Sequence, residues 1–529
     1  MTQHSPLPPL PYNTIPQAIR AAAALYTNKP AIIDGPRRIS YKELEVAMIR
    51  AGAAFRANGL RPGDRTAIWA PNGLDWVVAA LGVQAAGGCI VPLNTRFKGG
   101  EAAYILRRSG ARFLLVTAQF LGESFKEKLS GEELPDLERF LTLPSVESPN
   151  GADWPVFLAT ATPEQERDVS ALVDAATGKE TSDIMFTSGT TGYPKGVVTT
   201  HEQNVRVYIQ WGRWMGLGPD DRYLIVYPFF HASGYKSGWL SCFIAGATAY
   251  PQPVLDVKVL GAIINQEKIT FLPGPPTLFQ TLLSASPEER GDFSSIRVAN
   301  TGAAAVPPAS IARIRDELGI KSVMTGYGLT ETCGTVTLTD HSDGPETVAR
   351  YCGKALPGVE VRCVDADNND VPLGEPGEVV VRGYNVMQGY FADEAATAKA
   401  IDPQGWLHTG DIGILDERGY LRLTDRKTDM FIVGGFNCYP AEIERIMCGN
   451  PAYAQVAVIG VPDERMGEVG KAYVVPRAGE SITPAVVIAW CRETMANYKV
   501  PRYVEIVQTL PMNAVGKVQK FILREEQKA

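Results

Sequence analysis

Between Tyr41 and Leu93 the chain twice runs a helix into a glycine stop and then into a short apolar strand, and this repeat restricts the fold strongly. Tyr41-Lys42-Glu43-Leu44 opens an amphipathic helix that continues through Ala51-Gly52-Ala53-Ala54-Phe55; Gly59 and Gly63 follow, and Arg65-Thr66-Ala67-Ile68-Trp69 reads as a strand. Asp75 to Ala86 is apolar enough for a buried helix, Gly87-Gly88 ends it, and Cys89-Ile90-Val91-Pro92-Leu93 is the next strand. Repeated helix-glycine-strand units predict a parallel sheet in an α/β fold.

A second α/β stretch runs from about His201 to Thr332, with short strands at Ile269-Thr270-Phe271-Leu272, Arg297-Val298-Ala299-Asn300 and Ser322-Val323-Met324-Thr325. Between Cys352 and Thr424 the period shifts toward two, as in Glu378-Val379-Val380-Val381-Arg382, and predicts antiparallel β-structure. Beyond Asp425-Arg426-Lys427-Thr428 a small α+β pattern begins, so the expected division is a large domain over 1–427 and a small one over 428–529. Pro144 to Glu166, rich in Pro, Ser, Asn and acidic residues, reads as a surface connector.

The 529 residues, 45% hydrophobic and 21% charged, exceed what one core can organise. A net charge of −7 argues against nucleic acid or an anionic membrane as partner. Eight scattered cysteines without a C-x-x-C pair indicate neither a disulfide framework nor a zinc site. With no secretory leader and no apolar run approaching about 18 residues, the expectation is a soluble cytoplasmic protein acting on small molecules. A homodimer is left open.

Thr187-Ser188-Gly189-Thr190-Thr191-Gly192-Tyr193-Pro194-Lys195-Gly196 carries three glycines, four aliphatic hydroxyls and a lysine directly after the apolar strand Asp183-Ile184-Met185-Phe186. Convergent backbone N–H groups, hydroxyl donors and one ammonium suit a phosphate. The spacing is not G-x-x-x-x-G-K-[ST], and Lys195 is followed by glycine. Thr325-Gly326-Tyr327-Gly328-Leu329-Thr330-Glu331-Thr332 likewise departs from G-x-G-x-x-G, with a glutamate in the last place. Thr301-Gly302-Ala303-Ala304-Ala305, Trp406-Leu407-His408-Thr409-Gly410-Asp411, Val433-Gly434-Gly435-Phe436 and Leu510-Pro511-Met512-Asn513-Ala514-Val515-Gly516-Lys517-Val518-Gln519-Lys520 complete the series.

In this order the segments resemble the adenylate-forming superfamily of acyl-CoA synthetases, carrier-protein adenylation domains and beetle luciferases, over about residues 20 to 525. The resemblance implies a large N-terminal domain of two α/β subdomains plus an antiparallel β subdomain, and a small mobile α+β C-terminal domain. It implies ATP held by Thr187, Ser188, Gly189, Thr190, Thr191, Gly192 and Lys195, with Lys195 at the pyrophosphate end. Tyr327 would lie against adenine between Gly326 and Gly328, Thr330 would bond a phosphate and Glu331 would ligate Mg²⁺. Gly302, Ala303 and Ala304 would leave room beside adenine, small-residue packing explaining them as well. Asp411 and Arg426 would hold the ribose, the small domain would turn about Thr428, and Gly434-Gly435 would line the passage of the coenzyme A arm. Lys517 would bridge carboxylate and α-phosphate, with Lys520 second for that role.

The implied reaction makes acyl-AMP and pyrophosphate from an acid and ATP, then passes the acyl group to the thiol of coenzyme A. His231 matches a gate between acyl and thiol pockets, a histidine packed against backbone being the alternative. Gly234, Tyr235, Lys236, Gly238, Phe271, Gly274 and Thr277 are the expected acyl-pocket lining. No acidic residue near the gate would receive an amino acid's ammonium. Lys236 invites an oxygenated acid, such as a ring-bearing propanoate from steroid breakdown, beside medium- or long-chain acids; it could equally face solvent or coenzyme A. A chain ending soon after Lys517 favours a ligase over a stand-alone enzyme loading an acyl carrier protein, or a non-enzymatic ATP-binding regulator.

Overall fold

The computed structural model describes residues 10–145, 153–188, 193–301, 308–426, 431–438, 440–477, 479–511, 518 and 520–527. The repeat around Tyr41 builds the centre of a seven-stranded sheet. Its order is Gly389–Tyr390, Pro194–Thr200, Thr181–Ser188, Cys89–Pro92, Arg65–Trp69, Phe113–Thr117 and Arg139–Leu143. The last five pair in parallel, as expected. Thr181–Ser188 and Pro194–Thr200 pair antiparallel, and the predicted phosphate loop runs from the end of the first into the second.

The helices Tyr41–Ala57 and Leu74–Ala85 cover this sheet. The first begins in a capping box: the Ser40 hydroxyl accepts from the Glu43 N–H, and the Glu43 carboxylate accepts from the Ser40 N–H. The helices meet through Gly82, where a Cβ would lie 2.5 Å from that of Ala51. Only glycine permits that approach.

The second sheet runs Ser322–Met324, Val298–Asn300, Phe271–Pro273, Arg222–Ile225, Thr248–Pro251, Pro30–Asp34 and Arg37–Ser40. Its first six strands are parallel and the last closes the edge as an antiparallel hairpin. That edge comes from the N-terminus, ahead of the whole first sheet. A four-stranded antiparallel sheet follows the order Val359–Val364, Gly377–Gly383, Leu407–Leu415, Leu421–Arg426, as the period of two implies.

Residues 153–166 are not a plain connector. Trp154–Leu158 is a helix whose Trp154 is buried against Phe55 and Phe157, and Pro163–Ala175 begins another. Proline at the first turn of each starts a helix, since an N–H there has no intrahelical partner.

The small domain has its own core, with Phe431, Ile443, Val458, Tyr473 and Cys491 packed between its sheet and two helices. It docks on the large domain through Lys499, which bonds Glu101 at 2.6 Å and Glu442 of its own domain at 2.8 Å. Beside it, Asn94 donates to the Tyr498 hydroxyl, and Arg96 lies 4.1 Å above the Phe436 ring. All eight cysteines are free thiols. Among the described residues no helix is long and apolar enough to cross a membrane.

Candidate active site

The C-terminal ends of the second sheet's strands open on a cavity of about 420 Å³. Tyr227, Pro273, Asn300, Thr301 and Thr325 come from those ends, where the α/β topology leaves a crevice. The predicted phosphate loop contributes Thr187, and the glutamate-ending motif contributes Gly326, Tyr327, Gly328, Thr330 and Glu331. From the small domain, Ile432 and Gly435 close one side.

Several predicted residues are in contact here. Glu331, in a short 3₁₀ turn, accepts from the Tyr390 hydroxyl at 3.0 Å and the Thr187 hydroxyl at 3.5 Å. The Tyr327 hydroxyl donates to Asp411 at 2.6 Å, and Asp411 is only 2% exposed. The four-stranded sheet sets Asp411 opposite Arg426 in register. A side chain at Gly328 would press to 2.3 Å from the Gly334 carbonyl, which explains the glycine there.

His231 has its ring open to the cavity, and its Nδ1 accepts the Ser233 N–H at 3.2 Å. The cavity walls around it partly desolvate the imidazole and lower its pKa, so it is neutral near pH 7. The proton then resides on Nε2 and is available to donate. The backbone-bonded histidine and the cavity-facing one are the same residue.

Gly434 and Gly435 have φ of +56° and +85° in the turn between Phe431–Val433 and Phe436–Cys438. A Cβ on Gly435 would lie 3.1 Å from that of Pro275 in the large domain. The glycine pair thus brings the small domain's backbone to the cavity wall.

The expected acyl lining is corrected at several positions. Lys236 is fully buried, bonded to Asp183 at 2.9 Å and to the Thr199 hydroxyl at 3.0 Å. It faces neither cavity nor solvent. Tyr235 is fully buried, stacked on Trp239 and bonded to Gln84 and Asp183. Phe271 is spent in a stack on Tyr223, with centroids 4.7 Å apart. Gly234, Gly238 and Gly274 pack against Pro228, Ile225 and Leu278. Lys195 borders a separate recess of about 380 Å³ with Arg108 and Tyr193, its ammonium 5.0 Å from the Tyr390 ring.

Gly189, Thr190, Thr191, Gly192, Gly302, Ala303, Ala304, Thr428 and Lys517 lie outside the described residues, as do the side chains of Ser188, Thr277 and Arg426. Sequence reasoning missed Trp211, Tyr227, Ser237 and Asn300, all on the cavity wall. Ser237 was within reach, since it follows His231 by six positions on a segment already singled out. The others carry no local signal.

The family model "AMP-binding enzyme" matches residues 19–391, and "AMP-binding enzyme C-terminal domain" matches 442–517. The chain is 45% identical to the 3-[(3aS,4S,7aS)-7a-methyl-1,5-dioxo-octahydro-1H-inden-4-yl]propanoyl:CoA ligase of Rhodococcus jostii, covering 97% of this chain and 99% of that protein. The enzyme of the same name from Mycobacterium tuberculosis is also 45% identical, covering 97% and 98%. Among solved structures, the o-succinylbenzoate CoA synthetase of Bacillus subtilis, a double mutant bound to a product analogue, superimposes with a TM-score of 0.80 at 29% identity over 96% of this chain and 98% of that one. The chain belongs to the AMP-binding enzyme family, as an acyl-CoA synthetase that joins a carboxylic acid to coenzyme A at the expense of ATP.

Proposed function

We propose that this enzyme activates a ring-bearing propanoate of the kind produced in steroid breakdown, in the cytoplasm, first as acyl-AMP and then as the coenzyme A thioester. The observation that carries this is one cavity bordered by Thr187 and Glu331, by Tyr327, whose hydroxyl bonds Asp411 behind it, by His231 and by Gly435. Nucleotide, acid and thiol therefore have access to a single space. The names of the two 45% identical relatives supply the acid class.

ATP would lie with its ribose toward Asp411, whose second role is to accept from Tyr327. The Asn300 amide oxygen is buried at the cavity wall without a partner among the described residues, which suits a donor such as the adenine amino group. Mg²⁺ arriving with ATP fits Glu331. Among the described residues no group of three or more His, Cys, Asp or Glu could cage a metal, and a nucleotide-borne Mg²⁺ needs only one or two carboxylates beside phosphate oxygens. Its chemistry would be to neutralise charge developing on the departing pyrophosphate. His231, neutral with its proton on Nε2, would donate to an oxygen of the acid and orient it for attack. The Lys517 ammonium, assigned by resemblance, would stabilise charge on the α-phosphoryl group.

A panel of short, fatty, aromatic and fused-ring propanoic acids tests the proposal. Adenylate is trapped with hydroxylamine, and coenzyme A is then added. AMP, pyrophosphate and acyl-CoA are expected with the ring-bearing acid; failure of every ring-bearing acid to yield them overturns the substrate assignment.

A further inference from the structure

Two side chains on the cavity wall are donors waiting for an acceptor. Trp211 lies on the helix His201–Trp214 and is 2% exposed. Its ring is held between Tyr208 and Phe271, with centroids 6.2 and 6.0 Å away. Its indole N–H has no partner among the described residues, and the residue borders the cavity. Tyr227 lies two residues beyond the strand that ends at Ile225, and its carbonyl accepts from the Asn72 amide at 2.9 Å, which fixes its backbone. Its phenol also has no partner among the described residues, and burial pushes its pKa far up, so it stays protonated.

Neighbouring aromatic donors are satisfied. Trp214 donates to the Thr339 carbonyl, Tyr208 to that of Cys333 and Tyr223 to that of Ser237. Among the described residues the indoles of Trp76, Trp154 and Trp239 lack partners too, but they are sealed in the core and absent from the cavity wall. An indole N–H can only donate, so water or an oxygen of the ligand must complete it.

We propose that Trp211 and Tyr227 determine specificity by hydrogen-bonding carbonyl oxygens on the ring system of the acyl group. This rests on the ligase reading above. An alkyl tail filling the cavity strips water from both donors and returns no acceptor, so each bond is left unmet. A fused-ring propanoate with two ring ketones meets both. The propanoate arm would reach back toward His231, four residues beyond Tyr227. Discrimination of this kind exceeds what a hydrophobic wall achieves through shape alone.

The test compares a bicyclic propanoate carrying two ring ketones with analogues lacking one or both, using the wild-type enzyme, Tyr227→Phe and Trp211→Phe. With wild type, each ketone removed should lower kcat/KM by about ten- to a hundredfold. Each variant should lower kcat/KM on the diketone by a similar factor and leave the fully deoxygenated acid within about twofold. Equal losses on all acids, or an unchanged preference, overturn the donor assignment. The wild-type analogue series decides the matter even where a variant folds poorly. Failure of the wild-type enzyme to make acyl-CoA from any ring-bearing acid overturns instead the reading beneath it.

Discussion

His201 shows how much a single buried residue responds to pH. It is 3% exposed, and its Nδ1 accepts the Ile15 N–H across 186 positions of sequence. Burial lowers its pKa to about 4, against the smaller opposing pull of Asp183 and Glu180. Its folded value is below the unfolded value of about 6.5, so the unfolded chain binds the proton first as pH falls. Stability should therefore decline from about pH 6.5 down to about pH 4, by up to about 3 kcal/mol, and this contribution should then level off. His201→Gln keeps an acceptor for Ile15 without a titrating ring. Its denaturant midpoint should fall less steeply over that window than that of wild type, and parallel curves would refute the assignment. Lys236 shows the opposite limit of reading residues in isolation. A lysine within Gly234-Tyr235-Lys236-Ser237-Gly238 has no acidic neighbour in sequence, because its partner Asp183 lies 53 positions upstream. A substrate was inferred where the fold supplies a counterion. The oxygenated acid to which that argument led is nevertheless the class named for the 45% identical relatives.

At the scale of elements, this ion pair joins two parts of the site. Lys236 belongs to the helical segment that starts beyond His231, whereas Asp183 and Thr199 sit on the two antiparallel strands that flank the predicted phosphate loop. Asn204 and Ser182 complete the network at Asp183, at 2.8 and 2.7 Å. Removing one partner leaves a buried charge, which costs about 3–5 kcal/mol, whereas replacing both by uncharged groups is often close to neutral. Lys236→Met should therefore lower the melting temperature of the large domain by several degrees, and adding Asp183→Asn should recover most of that loss. A double variant as unstable as the single would show that packing, not charge, holds the segment. The elements themselves were legible where their period was strong: the helix at Tyr41, the strands at Arg65 and Cys89, and the antiparallel runs after Val359. They were missed where tertiary packing decided, as with Trp154, whose helix is short and whose apolar partners Phe55 and Phe157 cannot be found from spacing. The glycine-rich motifs at Thr187 and Thr325 pointed to one crevice because each leaves a strand end. Trp211 joins that crevice from mid-helix, where it reads as ordinary core.

For the whole molecule, the small domain supplies part of the cavity wall, through Ile432 and Gly435. The turn at Gly435 meets the wall while Lys499 ties Glu101 in the large domain to Glu442 in the small one. Lys499 is 3% exposed; burial alone would lower its pKa, but Tyr498, Glu442 and Glu101 together hold it well above the usual lysine value. A raised folded value means the stabilisation is complete below about pH 10.4 and is lost only as pH rises through that folded value, so the tie persists throughout the physiological range. Glu101→Gln tests it without disturbing the small domain, since Lys499 keeps Glu442. A charge-assisted bond across the interface contributes about 1.5–3 kcal/mol, enough to reduce the population of this orientation tenfold or more. If this is the arrangement in which coenzyme A meets the acyl group past Gly435, transfer from preformed acyl-AMP to coenzyme A should slow by about tenfold, with adenylate formation unchanged or faster. Measuring the two half-reactions separately decides it. Equal slowing of both would make the Lys499 contact a general support of the fold, and no slowing of either would mean that this orientation does not govern transfer.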